Sequence, residues 1–254
     1  MQLNSYYQYY TSALSKDLCE ELIDFGNKTI KKNIESGKNT FAHTHGNQEK
    51  QSKPNSKPIN EKSIKSIVDQ KENIENYYVR DSQIAWLNDD KIFNGLLPYV
   101  HSANINAGWN YEILKTEDIQ FTVYNSPGGF YGWHQDSGSD VFFSRKQYIE
   151  GISPPKIDDD RLPDGYTKNN SDVGLIRKIS VTVNLSPEGS YEGGNLKFDW
   201  GNHARVNNQY HECVEIRPQG SIIVFPSHLY HCVTPVTKGT RYSLVMWCLG
   251  RPFK

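Results

Sequence analysis

Residues 177–187 read RKISVTVNLSP, and residues 113–125 read ILKTEDIQFTVYN. In both stretches apolar and polar residues alternate with period two, the mark of half-buried β-strands. NLKFDW (195–200), HECVEIRP (211–218), GSIIVFP (220–226) and TRYSLVMWCLG (240–250) extend the series. Between them lie the turn signals Glu192-Gly193-Gly194-Asn195, Pro218-Gln219-Gly220 and Thr237-Lys238-Gly239. At least six short strands with Gly and Pro turns predict a sandwich, jelly roll or barrel.

Upstream, the period becomes helical. SKDLCEELIDFGN (15–27) starts at a candidate N-cap, Ser15, and Leu14, Leu18, Leu22 and Phe25 recur at helical spacing. DSQIAWLNDDKIFNGLLPYVHSAN (81–104) reads as a second helical region with Ile92, Leu96, Leu97 and Val100 toward a core. The expected organisation is therefore one catalytic domain. Residues 1–111 form an N-terminal helical support with a polar loop at 36–76, and residues 112–254 form the β-core. Residues 137–176 break the strand rhythm and read as a long loop beside the chemistry, functional or simply inserted.

Composition narrows the function. The 254 residues carry a net charge of −1, which offers no basic footprint for nucleic acid. Mean hydropathy is −0.69 and no apolar run has the length of a membrane span. The opening MQLNSYYQYYTSALSKD lacks the pattern of a signal peptide. The four cysteines are scattered, as expected of reduced thiols, so the expected location is cytoplasmic.

The chemistry sits in GFYGWHQDSG (129–138), which contains His134-Gln135-Asp136. Residues i and i+2 of an extended chain point the same way, so one imidazole and one carboxylate can reach one ion. Alone, HxD is a weak signal. FPSHLYHCVTPVTKGTRYSLVMW (225–247) adds His231 and, ten residues on, Arg241. Two histidines and a carboxylate occupy one face of an octahedron, the set suited to non-haem iron(II). Zinc is the rival, but no HExxH-type general base accompanies it. His228 competes with His231, yet it follows Pro226-Ser227 at an apparent turn. His43 and His45 fall in the polar segment, and His101, His203 and His211 carry no partner signal.

Taken in order, YNSPGGFYGWHQD (124–136), RKISVTVNLSPEGSYEGGNLKF (177–198) and PQGSIIVFPSHLYHCVTPVTKGTRYSLVMW (218–247) resemble the prolyl 4-hydroxylase family of Fe(II)/2-oxoglutarate-dependent dioxygenases, in its PKHD-type bacterial and viral branch. RDSQIAWLND (80–89) resembles the family's helical lead-in. The resemblance implies a mainly β fold with N-terminal helices around a double-stranded β-helix, a cupin-like jelly roll. It implies Fe(II), 2-oxoglutarate and O2, with ascorbate as reductant, and release of succinate and carbon dioxide. His134, Asp136 and His231 would hold the metal. Arg241 would take the far carboxylate of 2-oxoglutarate, for which a forked cation is suited. Tyr124 would line the cosubstrate pocket. Asn184 stands where some relatives use a tyrosine toward it. Tyr131 and Arg177 would contact a proline-containing peptide or protein, and Trp247 would wall the site. The length of 137–176 departs from compact relatives and suggests a lid. Two other readings stand beside prolyl hydroxylation. One is oxygenation of another side chain or a small metabolite, and the other is a non-catalytic β-fold binding module. Oligomeric state is left open.

Overall fold

The structure is a computed structural model that describes residues 5–42, 80–137, 175–199 and 210–253. Most of the polar segment 36–76 and of the loop 137–176 lies outside the described residues, as do His43, His45 and His203.

In chain order the described elements are β1 (Gln8–Tyr10), α1 (Lys16–Glu35), β2 (Arg80–Asp81), β3 (Gln83–Leu87), α2 (Asp90–Asn106), β4 (Lys115–Thr116), β5 (Ile119–Asn125) and β6 (Phe130–His134). There follow β7 (Ile176–Asn184), β8 (Tyr191–Gly193), β9 (Leu196–Asp199), β10 (His211–Glu212), β11 (Ile222–Pro226), β12 (Tyr230–Val233) and β13 (Val236–Gly250). They form two antiparallel sheets. The larger runs β1-β11-β7-β13-β5-β3, with β4 and β8 also paired to β13. The smaller runs β10-β9-β12-β6-β2. This is the expected jelly roll, mostly β, with two helices against it among the described residues.

The helices explain how the large sheet is filled. Ser15 caps α1 by accepting from the Leu18 backbone N–H, and Asp89 caps α2 by accepting from Lys91 and Ile92. Cys19, Leu22, Gly26 and Ile30 are the buried face of α1. Leu18 and Phe25, expected on that face, are exposed, because the sheet meets the helix one stripe further round. Gly26 permits the contact: a Cβ there would stand 2.4 Å from the Phe121 ring. On α2, Ile92, Leu96 and Val100 are buried as expected.

Three sequence readings are corrected. Residues 83–87 form a strand rather than helix, pairing with β5 in the register Ala85↔Phe121. Its β-branched and aromatic residues favour the sheet, and Asp89 starts the helix after it. HECVEIRP is not one strand, but the two-residue β10 followed by a 3-10 turn at Val214–Ile216. The alternating strands, finally, are not half-exposed. On β5 and β7, Ile119, Phe121, Val123, Ile179, Val181 and Val183 join the core shared with the helices. Their alternates Gln120, Thr122, Ser180, Thr182 and Asn184 are buried too. The polar face of the large sheet therefore points at the smaller sheet, and that is where the chemistry lies.

Candidate metal centre

Within the smaller sheet, β6 and β12 pair with His134 directly opposite His231. Their rings lie 4.2 Å apart between centroids. Asp136 follows β6 by two residues and is buried. Its carboxylate oxygens stand 3.4 Å from His134 Nε2 and 3.6 Å from His231 Nε2. One ligand atom from each of the three lies within 4.8 Å of the others. His228 is exposed, in the turn between β11 and β12.

Both imidazoles are oriented from behind. His134 Nδ1 lies 2.8 Å from the Gly132 carbonyl and His231 Nδ1 2.9 Å from the Leu229 carbonyl. A carbonyl only accepts, so each Nδ1 carries the proton and each Nε2 presents a lone pair inward. Burial and the neighbouring His134 hold His231 down to about 4, so it is neutral at pH 7. Burial works against a charged Asp136, but His231, His134 and Arg177 outweigh it and hold the carboxyl below its usual range. Two imidazoles and one carboxylate are the donor set that a divalent transition metal takes. Ser180 Oγ donates to Asp136 Oδ2 at 2.6 Å and lies 2.9 Å from Ser227 Oγ.

The three residues line a cavity of about 430 Å³, open mouth included, with Arg241 in its wall. Arg241 is 1% exposed. It faces Tyr124 across the β13–β5 pair, with its guanidinium 5.4 Å from that ring. Its Nη1 reaches Ser243 Oγ at 3.4 Å, while Nε and Nη2 are buried without a hydrogen-bond partner among the described residues. A buried cation with unused donors is costly unless an anion arrives. Gly194, at φ +60°, makes room: a Cβ there would stand 2.9 Å from Arg241 Cδ. The residues thus fit both groups, a metal at the His-Asp-His cluster and a carboxylate at Arg241.

The other expected residues divide. Tyr124, Tyr131 and Trp247 line the cavity. Tyr131 stacks on His134 at 3.5 Å, and burial pushes its phenol up to about 12. Trp247 Nε1 is buried without a partner among the described residues. Arg177 is ion-paired: Nε and Nη2 each meet Glu117 at 2.6 Å, and the guanidinium lies 3.8 Å from the Trp247 ring. Asn184 lies on β7 beside the cavity wall. It does not line the cavity, and its amide donates to the Arg217 carbonyl and accepts from Ser186 N–H. The sequence reading missed Arg80, Thr182, Ser180 and Ser227. Arg80 had a signal, as the first residue of the lead-in RDSQIAWLND.

A two-sheet jelly roll with two histidines and a carboxylate inside it defines a metal-dependent oxygenase scaffold. Residues 119–249 match the 2OG-Fe(II) oxygenase superfamily, and the chain belongs to that family. A PKHD-type hydroxylase of Synechococcus sp. (strain CC9605) is 42% identical over 72 residues, 28% of this chain and 29% of that protein. The PKHD-type hydroxylase YbiX of Escherichia coli O6:K15:H31 is 35% identical over 85 residues, 33% of this chain and 34% of YbiX. The aligned stretch thus spans about a third of these relatives. Among solved structures, the viral collagen prolyl hydroxylase of Paramecium Bursaria Chlorella virus-1 shares the fold at TM-score 0.52 and 17% identity, covering 97% of each chain. A Pseudomonas putida prolyl-4-hydroxylase does so at 0.54 and 14%, covering 97% of this chain and 94% of that one. Among the described residues no helix is long and apolar enough to cross a membrane.

Proposed function

We propose that this protein is an Fe(II)- and 2-oxoglutarate-dependent dioxygenase that hydroxylates prolyl residues in a peptide or protein. The observation that carries the reading is one cavity holding both the inward-facing Nε2 atoms beside Asp136 and, in its wall, the partnerless donors of Arg241. Membership of the superfamily supports the cofactors, and the names of the two structural neighbours, both prolyl hydroxylases, support the prolyl substrate.

In this reading His134, Asp136 and His231 hold the metal through three sites on one side and leave the other side for ligands. Iron with 2-oxoglutarate and O2 supplies the oxidation of an unactivated C–H bond, with succinate and carbon dioxide released and ascorbate as external reductant. The protein's own work is to bind and aim. Arg241 takes the far carboxylate of 2-oxoglutarate by charge-assisted hydrogen bonds in a dry pocket. Tyr124 packs beside that guanidinium. Ser180 fixes the rotamer of Asp136 and keeps its charge localised. Tyr131 and Trp247 form aromatic walls suited to an apolar pyrrolidine ring, and the Trp247 N–H, without a partner among the described residues, can donate to a peptide carbonyl. Arg177, paired with Glu117, holds Trp247 by stacking.

The test is succinate formation from 2-oxoglutarate with Fe(II), O2 and ascorbate, with and without proline-containing peptides. Peptide-stimulated turnover with one oxygen gained on proline supports the proposal. Turnover stimulated only by peptides lacking proline, or by small metabolites, overturns the prolyl assignment.

A further inference from the structure

The cavity contains a second arginine that the reaction outlined above does not use. Arg80 is 8% exposed and lines the cavity from β2, directly opposite Tyr131 on β6. Its Nε donates to Ser82 Oγ at 2.8 Å, and Nη2 makes only a long contact, 3.5 Å, to Thr122 Oγ1. Its guanidinium lies 4.5 Å from the Tyr131 ring, the same ring that stacks on His134. Among the described residues no carboxylate pairs with it. Arg177 shows the contrast, since Glu117 neutralises it fully.

A charge inventory of the loaded site says what Arg80 lacks. The metal's two positive charges are offset by Asp136 and by the metal-side carboxylate of 2-oxoglutarate. Arg241 is offset by the far carboxylate. Arg80 remains as one positive charge in a low-dielectric cavity, beside the ring that packs on a metal ligand. Desolvating a guanidinium without an anion is costly, and a carboxylate on its free edge recovers that cost.

We propose that Arg80 is a specificity-determining residue that receives a carboxylate of the substrate, so that the hydroxylated residue lies next to an acidic side chain or a free C-terminus. The inference rests on the oxygenase reading for its charge inventory. It does not depend on which ring carbon is oxidised. Trp247 and Tyr131 hold the ring, and Arg80 selects among peptides by the charge of the neighbour.

The test uses N-acetylated, C-terminally amidated pentapeptides with a central proline. A single Glu is walked through the two residues on either side, each peptide matched to its Gln isostere. A further pair differs only in a free or amidated C-terminus. Binding is measured by calorimetry with Mn(II) as a redox-silent metal and 2-oxoglutarate present. Wild type is expected to prefer Glu over Gln at one position, or the free C-terminus over the amide, by roughly ten- to a hundredfold, the value of one charge-assisted contact. Which pair discriminates identifies the source of the carboxylate. Arg80→Gln is expected to abolish that preference while leaving 2-oxoglutarate affinity within about twofold, and Arg80→Lys to retain part of it. Equal wild-type binding of every pair overturns the inference, and that arm needs no variant to fold. Loss of 2-oxoglutarate binding in Arg80→Gln also overturns it, because Arg80 would then belong to the cosubstrate pocket. A parallel arm without metal and cosubstrate separates the two readings. If Mn(II) and 2-oxoglutarate do not bind wild type, the oxygenase reading fails. An Arg80-dependent preference for the acidic peptide in that arm still upholds the anion site, and its absence sinks it.

Discussion

Ser180 on β7 donates a 2.6 Å hydrogen bond to Asp136, the carboxylate that stands between the two histidines, and its oxygen lies 2.9 Å from Ser227. A buried hydroxyl so placed sets the carboxylate's direction, and both serines are fully buried. Ser180→Ala leaves Asp136 free to rotate and Ser227 short of a partner. Metal affinity is expected to fall by roughly 10- to 100-fold, the usual effect of losing an outer-shell hydrogen bond. Calorimetric titration with Mn(II) measures it. Unchanged affinity would remove Ser180 from the site's machinery.

Arg241 should trade stability for binding. Its buried, partnerless nitrogens burden the ligand-free protein. Arg241→Met removes that burden at similar volume, with an expected gain on the order of 1 kcal/mol in unfolding free energy. The same change is expected to weaken 2-oxoglutarate binding by roughly a hundredfold or more. Thermal melts and cosubstrate titrations should therefore move in opposite directions. A variant that loses both would mean that the arginine is structural.

Acidification should weaken the metal-free protein through His231. Its pKa is lowered from 6.5 to about 4 in the folded state, by burial and then by His134. Between those values the unfolded chain binds more protons than the native one. The contribution of neutral His231 is thus present above pH 6.5 and is lost as pH falls toward 4. Urea midpoints should drop across that window in wild type and drop less in His231→Gln. Parallel slopes in the two proteins would contradict this.

Gly26 tests the packing of α1 on the sheet. Alanine favours helix by about 1 kcal/mol over glycine. Here its Cβ would meet Phe121, itself fully buried, at 2.4 Å. Overpacking costs typically 1–3 kcal/mol, so Gly26→Ala is expected to be net destabilising in chemical denaturation. A stabilised variant would show that the helix can lift from the sheet.

Much of this was legible from residue order. The period-two strands, Ser15 as a cap and the convergence of His134, Asp136 and His231 follow from spacing and residue chemistry. What was not legible depends on what covers each face. Thr122, Ser180 and Thr182 look like solvent-facing strand positions, yet they are buried against the site, because periodicity reports polarity and not exposure. Gln83–Leu87 looked helical because the following Asp89–Asn106 pattern is strongly so, and its pairing to β5 is a long-range fact. Arg177 and Asn184 were matched by position alone. Glu117, sixty residues from Arg177 in sequence, takes the first, and the Arg217 carbonyl takes the second.

The most direct measurement is anaerobic calorimetry of Fe(II) and then 2-oxoglutarate binding to wild type, Asp136→Ala and His231→Ala. The expected result is one Fe(II) per wild-type chain, 2-oxoglutarate binding that requires the metal, and loss of both in either variant. Equal Fe(II) affinity in all three proteins, or 2-oxoglutarate binding indifferent to metal, would contradict a metal held by His134, Asp136 and His231.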